Sequence, residues 1–191
     1  MNSPLYGKFR VSQRYKGVSH KGIDLVGVDS REIHSTVDGL VEAAKWDIRS
    51  GTTKIDTDYG MGQYVRIRGD DTNYVYYFAH ISELLVSAGQ RVKKGDVIGI
   101  EGSTGNAEGP HVHYEIRRTT SNTTFLNVSE LSGVPNELGT YFQEESDMDA
   151  ALEEAKRSIR EKAGLDDNTM NYLVSYRYGD ELILKLAAAM I

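Results

Sequence analysis

Residues 1–132 hold short runs in which β-branched and aromatic side chains alternate with polar ones between glycine-bearing turns. This period of two predicts strands over about 8–15, 22–26, 39–46, 63–68, 73–79, 96–101 and 112–117. Asp38-Gly39, Gly69-Asp70-Asp71, Lys94-Gly95-Asp96 and Gly102-Ser103-Thr104-Gly105 supply turns between them. Residues 50–59 are polar and glycine-flanked and read as a long surface loop, a length that is often functional in a compact domain. Many short strands and hardly any helix make this part mainly β, an antiparallel β-sandwich or a barrel-like domain.

The period then changes to the helical one. Ser146 is placed to cap a helix from about 147 to 163, where Met148, Ala151, Leu152, Ala155, Ile159 and Ala163 recur at helical spacing and Gly164 ends the run. Asp149, three residues past the cap, supports that start as a relative of the capping box. Two shorter helices are expected over 169–178, ended by Gly179, and over 181–189, capped by Asp180. Gly133, Pro135-Asn136 and Gly139 punctuate the change, which divides the chain into a β domain over 1–132 and a small C-terminal α-helical tail over 133–191. The apolar stripes of the tail call for a partner surface: each other, the β domain or another protein.

Charge follows the same division. Of 22 basic and 28 acidic residues, 16 of each precede residue 133, so the whole net charge of −6 sits in the tail. That balance, without a basic stretch, argues against nucleic-acid binding. The absence of cysteine excludes a disulfide framework, a thiolate zinc site and a cysteine nucleophile together. The longest apolar run, at the C-terminus from Leu182, contains Lys185 and falls short of the roughly 20 residues a membrane span needs. The first residues, Met1-Asn2-Ser3-Pro4-Leu5-Tyr6, carry no charged segment followed by an apolar one, so no signal peptide is expected. Action outside the cytosol then calls for another delivery route or a longer parent chain.

The chemistry concentrates in five histidines, His20, His34, His80, His111 and His113. His20-Lys21-Gly22-Ile23-Asp24 reads as a loop entering a strand, where a folded-back turn brings His20 and Asp24 together. His111-Val112-His113 opens a strand-like run, so its two imidazoles share one face and Val112 takes the other. Two imidazoles on one face, a third imidazole and a carboxylate are the ligand inventory of a catalytic zinc site, which keeps one position for water. Magnesium and calcium would want mostly oxygen ligands. His34 lies outside these patterns and reads as structural.

Three ordered segments resemble the motifs of the lysostaphin-type (LytM-type) zinc metallopeptidases: His20-x-x-x-Asp24, Tyr77-Phe78-Ala79-His80-Ile81-Ser82, and the run from Gly102 through Gly109-Pro110-His111-Val112-His113-Tyr114-Glu115. The resemblance covers about 12–117. It implies a bacterial or phage endopeptidase that cuts amide bonds in peptidoglycan cross-links or stem peptides at the cell wall. It further implies that His20, Asp24 and His113 bind Zn2+ and that His80 and His111 are non-ligand catalytic histidines, their division of labour left open. Tyr15 and Asn106 are candidate substrate contacts. Phe78 stands where the family commonly has tyrosine and is expected to pack in the core. Delivery by a holin or a virion would suit a phage lysin, whose tail helices could dock on a phage or other protein partner.

Two readings compete. A catalytically silent zinc-binding scaffold that binds the wall or activates another wall hydrolase would keep the same ligands. The run from Val92 through Lys94-Gly95-Asp96 to Gly99 is also similar to biotinyl and lipoyl domains, but no lysine stands in the required hairpin-tip setting.

Overall fold

In the computed structural model, every paired strand runs antiparallel to its neighbours. The structure describes residues 1–47, 60–70, 72–119, 121–144 and 147–165, then 169, 173, 182, 183 and 185–187. In chain order the strands are β1 (Gly7–Gln13), β2 (Ile23–Gly27), β3 (Glu32–His34), β4 (Gly39–Trp46), β5 (Gln63–Gly69) and β6 (Tyr74–Ala79). They continue with β7 (Glu83–Leu84), β8 (Arg91–Val92), β9 (Val97–Ile100), β10 (Val112–Arg118), β11 (Ser121–Phe125) and β12 (Gly139–Gln143). A large sheet has the order β12-β1-β2-β10-β6-β5-β4-β8, with β11 added to β10, and β3-β9-β7 form a small second sheet.

All seven strands expected from the alternation are present, with ends shifted by at most two residues. The others are too short for a period of two to register, or pair only because a partner edge is available. The expected loop over 50–59 lies outside the described residues, as do Ser146 and most of the two shorter tail helices.

Period two sorts β10 onto two faces. Val112, Tyr114 and Ile116 are buried in the main core with Phe9, Leu25, Val65, Ile67 and Phe78 from the large sheet and Ile33 and Ile98 from the small one. His113, Glu115 and Arg117 take the opposite face, where Ala43, Met61, Tyr64, Val75, Tyr77 and Ala79 form a second cluster. One face of the large sheet is therefore filled with hydrocarbon, and the other carries the polar chemistry.

The chain divides into compact units Met1–Glu144 and Glu145–Ile191. The break falls at the far end of the punctuated stretch 130–145: residues 133–144, which a division after residue 132 puts with the tail, lie in the β unit. Within them β12 pairs with β1, and Tyr141 packs against Phe9 with ring centroids 6.1 Å apart. A short helix, α1 (Val128–Ser132), precedes it, its start capped by the Asn127 side chain, which accepts from the Ser129 N–H. In the second unit α2 (Asp147–Ala163) has the expected bounds and ends at Gly164, whose N–H donates to Arg160 O at 2.9 Å. Ala155 and Ile159 of α2 are buried with Ile183.

Phe78 is fully buried and stacks on Tyr114, centroids 5.3 Å apart, as expected of a core residue. Phe78→Ala should lower stability by about 3–5 kcal/mol, read as an earlier urea midpoint, while Phe78→Leu should cost distinctly less.

Candidate metal centre

Neighbouring strands β2 and β10 are registered so that Asp24 stands opposite His113. His20 reaches the same place from the loop after a single 3-10 turn, Gly17–Ser19. The Lys16 N–H donates to His20 O at 2.9 Å and folds that loop back, which is the convergence expected for a loop entering a strand. Asp24 Oδ1 lies 2.8 Å from His113 Nδ1 and 3.2 Å from His20 Nε2. One donor atom from each of His20, Asp24 and His113 lies within 4.8 Å of the others. Ligands about 2 Å from a tetrahedral zinc sit roughly 3.3 Å apart, so this trio fits a metal ion with little rearrangement.

The far side of each imidazole is also engaged. His20 donates its Nδ1–H to the Arg14 carbonyl at 2.7 Å, which turns Nε2 toward Asp24. His113 Nε2 lies 3.3 Å from Glu115 Oε2. Such outer partners set the tautomer and aim of a metal-binding ring. Room for the His113 ring comes from Gly22: a Cβ there would lie 2.6 Å from Nε2 and 2.5 Å from the Tyr114 carbonyl oxygen.

Burial by itself would raise the Asp24 carboxyl, but the hydrogen bonds from His113 and His20 outweigh it and hold the group well below its ordinary value. Burial would lower His113, yet its bonds to Asp24 and Glu115 prevail and hold the imidazole up at about 9. His113 thus lies between two carboxylates, a place that favours positive charge.

His80 and His111 stand beside this centre. Their ring centroids are 4.6 Å apart, and His80 is 6.0 Å from His113. His80 donates Nδ1–H to the Thr104 carbonyl at 2.8 Å, and His111 donates Nδ1–H to the Gly109 carbonyl at 2.9 Å. Each bond leaves Nε2 as the remaining ring nitrogen. His111 Nε2 also lies 3.7 Å from Asp24 Oδ2. His80 follows β6 with φ +65°, uncommon for a residue with a side chain and a turn that takes its ring out of the strand's alternation. Burial, with neighbouring His111 and His113, pushes its imidazole down to about 4 against the pull of the Thr104 carbonyl.

These five residues line one groove of about 700 Å³ together with Arg10, Lys21, Asn106 and Glu108. Asn106 is thus beside the metal centre. Tyr15 is not among the described residues lining it; its ring packs against the main core and its carbonyl accepts from Asn136 Nδ2 at 3.2 Å. His34 is buried elsewhere, stacked on Tyr6 at 4.2 Å with Nδ1–H donated to the Gly95 carbonyl. Sequence reasoning gave no role in the site to Gly22, Thr104, Glu115 or Arg117, although the first three stand within the segments quoted above. The available signal for the last two was the strand period itself, which puts residues 113, 115 and 117 on one face.

The profile of Peptidase family M23 matches residues 18–125, more than half of the chain. Peptidoglycan DD-endopeptidase ShyA of Vibrio cholerae is 28% identical over 162 residues, 78% of this chain and 35% of ShyA. The structure of the antimicrobial peptidase lysostaphin from Staphylococcus simulans is similar with a TM-score of 0.53 at 25% identity, over 67% of this chain and 49% of that one. A variant catalytic domain of the prophage-encoded M23 protein EnpA from Enterococcus faecalis gives a TM-score of 0.51 at 28% identity, over 66% of this chain and 94% of that one. The chain spans about a third of ShyA and between 18% and 30% of other curated relatives it matches.

The depressed His80 value has a measurable consequence. The unfolded chain takes up this proton near the ordinary 6.5, the folded one only near 4. The His80 contribution to stability is therefore whole above about 6.5 and is lost as pH falls toward 4. Imidazole proton shifts followed by NMR should show His80 neutral throughout the range from pH 6 to 8; a midpoint near 6.5 would contradict the burial argument.

Proposed function

Because the chain belongs to Peptidase family M23, we propose that it hydrolyses amide bonds in bacterial peptidoglycan, within cross-links or stem peptides, with a zinc ion held by His20, Asp24 and His113. The carrying observation is the convergence of three donor atoms within 4.8 Å beside two further imidazoles in one groove. A set of two nitrogens and one carboxylate oxygen favours zinc over magnesium or calcium. The peptidoglycan endopeptidase ShyA, matched over most of this chain, supports the substrate class. The prophage-encoded EnpA supports extending the reading to a phage-associated lysin acting at the cell wall.

Zinc, when bound, supplies Lewis acidity to the scissile carbonyl and to the attacking water. The remaining work falls to the chain's own groups. His80 and His111 each spend Nδ1–H on a backbone carbonyl, so Nε2 of each ring is the atom available for proton transfer. When neutral, that nitrogen accepts the proton of the attacking water. When protonated, it donates to the developing oxyanion or to the leaving amine. Two such rings 4.6 Å apart provide a base and a donor at the same time. Arg10, Lys21 and Glu108 along the groove suit a peptide that carries both amino and carboxylate groups, and Asn106 is proposed as a further substrate contact.

Asp24→Ala and His113→Ala should each abolish both zinc uptake, measured by elemental analysis, and digestion of purified peptidoglycan. His80→Ala should retain one zinc per chain and slow digestion by about 10²–10⁴. Mass spectrometry of the digest should reveal new amine and carboxylate termini at the peptide portion. A zinc-loaded protein that yields none would favour the silent scaffold instead.

A further inference from the structure

Below the metal centre, the polar face of β10 carries a buried ion pair that the proposed reaction does not use. Glu115 and Arg117 are 1% and 0% exposed. Arg117 Nε donates to Glu115 Oε1 at 2.7 Å and its Nη2 to Oε2 at 3.2 Å, so the carboxylate is gripped at both oxygens. The guanidinium lies over the Tyr77 ring, 4.0 Å from its centroid. The same Oε2 faces His113 Nε2 at 3.3 Å.

Such a pair is a poor way to stabilise a sheet. Desolvating two charges costs several kcal/mol, and apolar residues of similar volume often serve as well or better. Its use lies in what it does to the ring above it. A neutral imidazole that donates Nε2–H to a carboxylate carries its lone pair on Nδ1, the atom 2.8 Å from Asp24 Oδ1. Residues 113, 115 and 117 are two apart on a strand paired throughout this stretch by β6 and, at His113, also by β2, so the backbone sets the spacing of ring, carboxylate and guanidinium. Gly22 leaves the space that this ring orientation needs.

We propose that Glu115, clamped by Arg117, is a positioning residue for the metal centre: it fixes the Nε2–H tautomer and the aim of His113, so that Nδ1 meets the ion. This inference rests on the reading that His20, Asp24 and His113 hold zinc. It assigns Glu115 no contact with substrate and no part in proton transfer to it. Arg117 acts one step further back, by keeping both carboxylate oxygens in place.

The test uses the full chain. Zinc affinity is measured by competition with a chromophoric chelator, and the ligand field by the visible spectrum after cobalt(II) substitution. Glu115→Gln should weaken zinc binding about 10–100-fold and alter the cobalt bands, and Glu115→Asp should restore part of the affinity by returning the charge. A purely structural Glu115 would shift the unfolding midpoint and leave the cobalt spectrum of the folded fraction unchanged. Nitrogen-detected NMR of the unaltered zinc-loaded protein decides the matter even if the variants fail to fold. The expected result is a His113 ring protonated at Nε2 and ligated through Nδ1. The reverse tautomer, or a Glu115→Gln protein with zinc affinity within about twofold of the parent and an unchanged cobalt spectrum, overturns the inference alone. A parent protein that takes up no zinc overturns the metal-centre reading, and this inference with it.

Discussion

The antiparallel register that sets Asp24 opposite His113 is the constraint on which the rest of this structure depends. A slip of β2 or β10 by one residue would turn that strand's ligand, Asp24 or His113, into the hydrocarbon core and bring Leu25 or Val112 to the polar face. In register, one carboxylate gathers three imidazoles: His113 at 2.8 Å, His20 at 3.2 Å and His111 at 3.7 Å. Burial resists that carboxylate's ionisation and its hydrogen bonds favour it; the bonds win. The outcome is a concentrated negative charge surrounded by groups that bind either a proton or a metal ion.

The large sheet serves two solvents at once. On one face it buries apolar residues against Ile33 and Ile98 of the small sheet. On the other, polar contacts run across several strands. His113, Glu115 and Arg117 descend β10, Arg117 lies over Tyr77 of β6, Tyr77 stands opposite Arg66 of β5 in the register, and Arg66 pairs with Glu42 of β4 at 3.2 Å. Buried charge is tolerated there because each charged group has a charged or aromatic neighbour at short range.

The second half of the site depends on turns. The left-handed φ of His80 costs on the order of 1–3 kcal/mol and survives only where neighbours fix it. Its N–H donates to the Met61 carbonyl at 2.9 Å, its ring to the Thr104 carbonyl at 2.8 Å. Thr104 is itself tied down, since its hydroxyl donates to Ile81 O at 2.9 Å. Strand ends and glycine turns thus hold His80 over the groove at a distance from His111 that neither strand alone would give.

Much of this was legible locally. Alternation located the longer strands, the 3.6 period and Gly164 bounded α2, and His111-Val112-His113 announced two imidazoles on one face. Strands β3, β7 and β8 escaped because two or three residues carry no period. β12 escaped because its reason for being a strand is the free edge of β1, 132 residues or so upstream by the Gly7 to Gly139 offset. Tyr15 and Asn106 were equal candidates in the sequence; only the folded chain separates a ring packed on the core from an amide in the groove. Sequence by itself determined which side chains were chemically competent and which way each strand would sort them, since both follow from residue type and the two-residue repeat. Tertiary structure decided register, the partner of every buried charge and the meeting of His113 with an aspartate 89 positions away, because those depend on which strands become neighbours, and no local pattern encodes that.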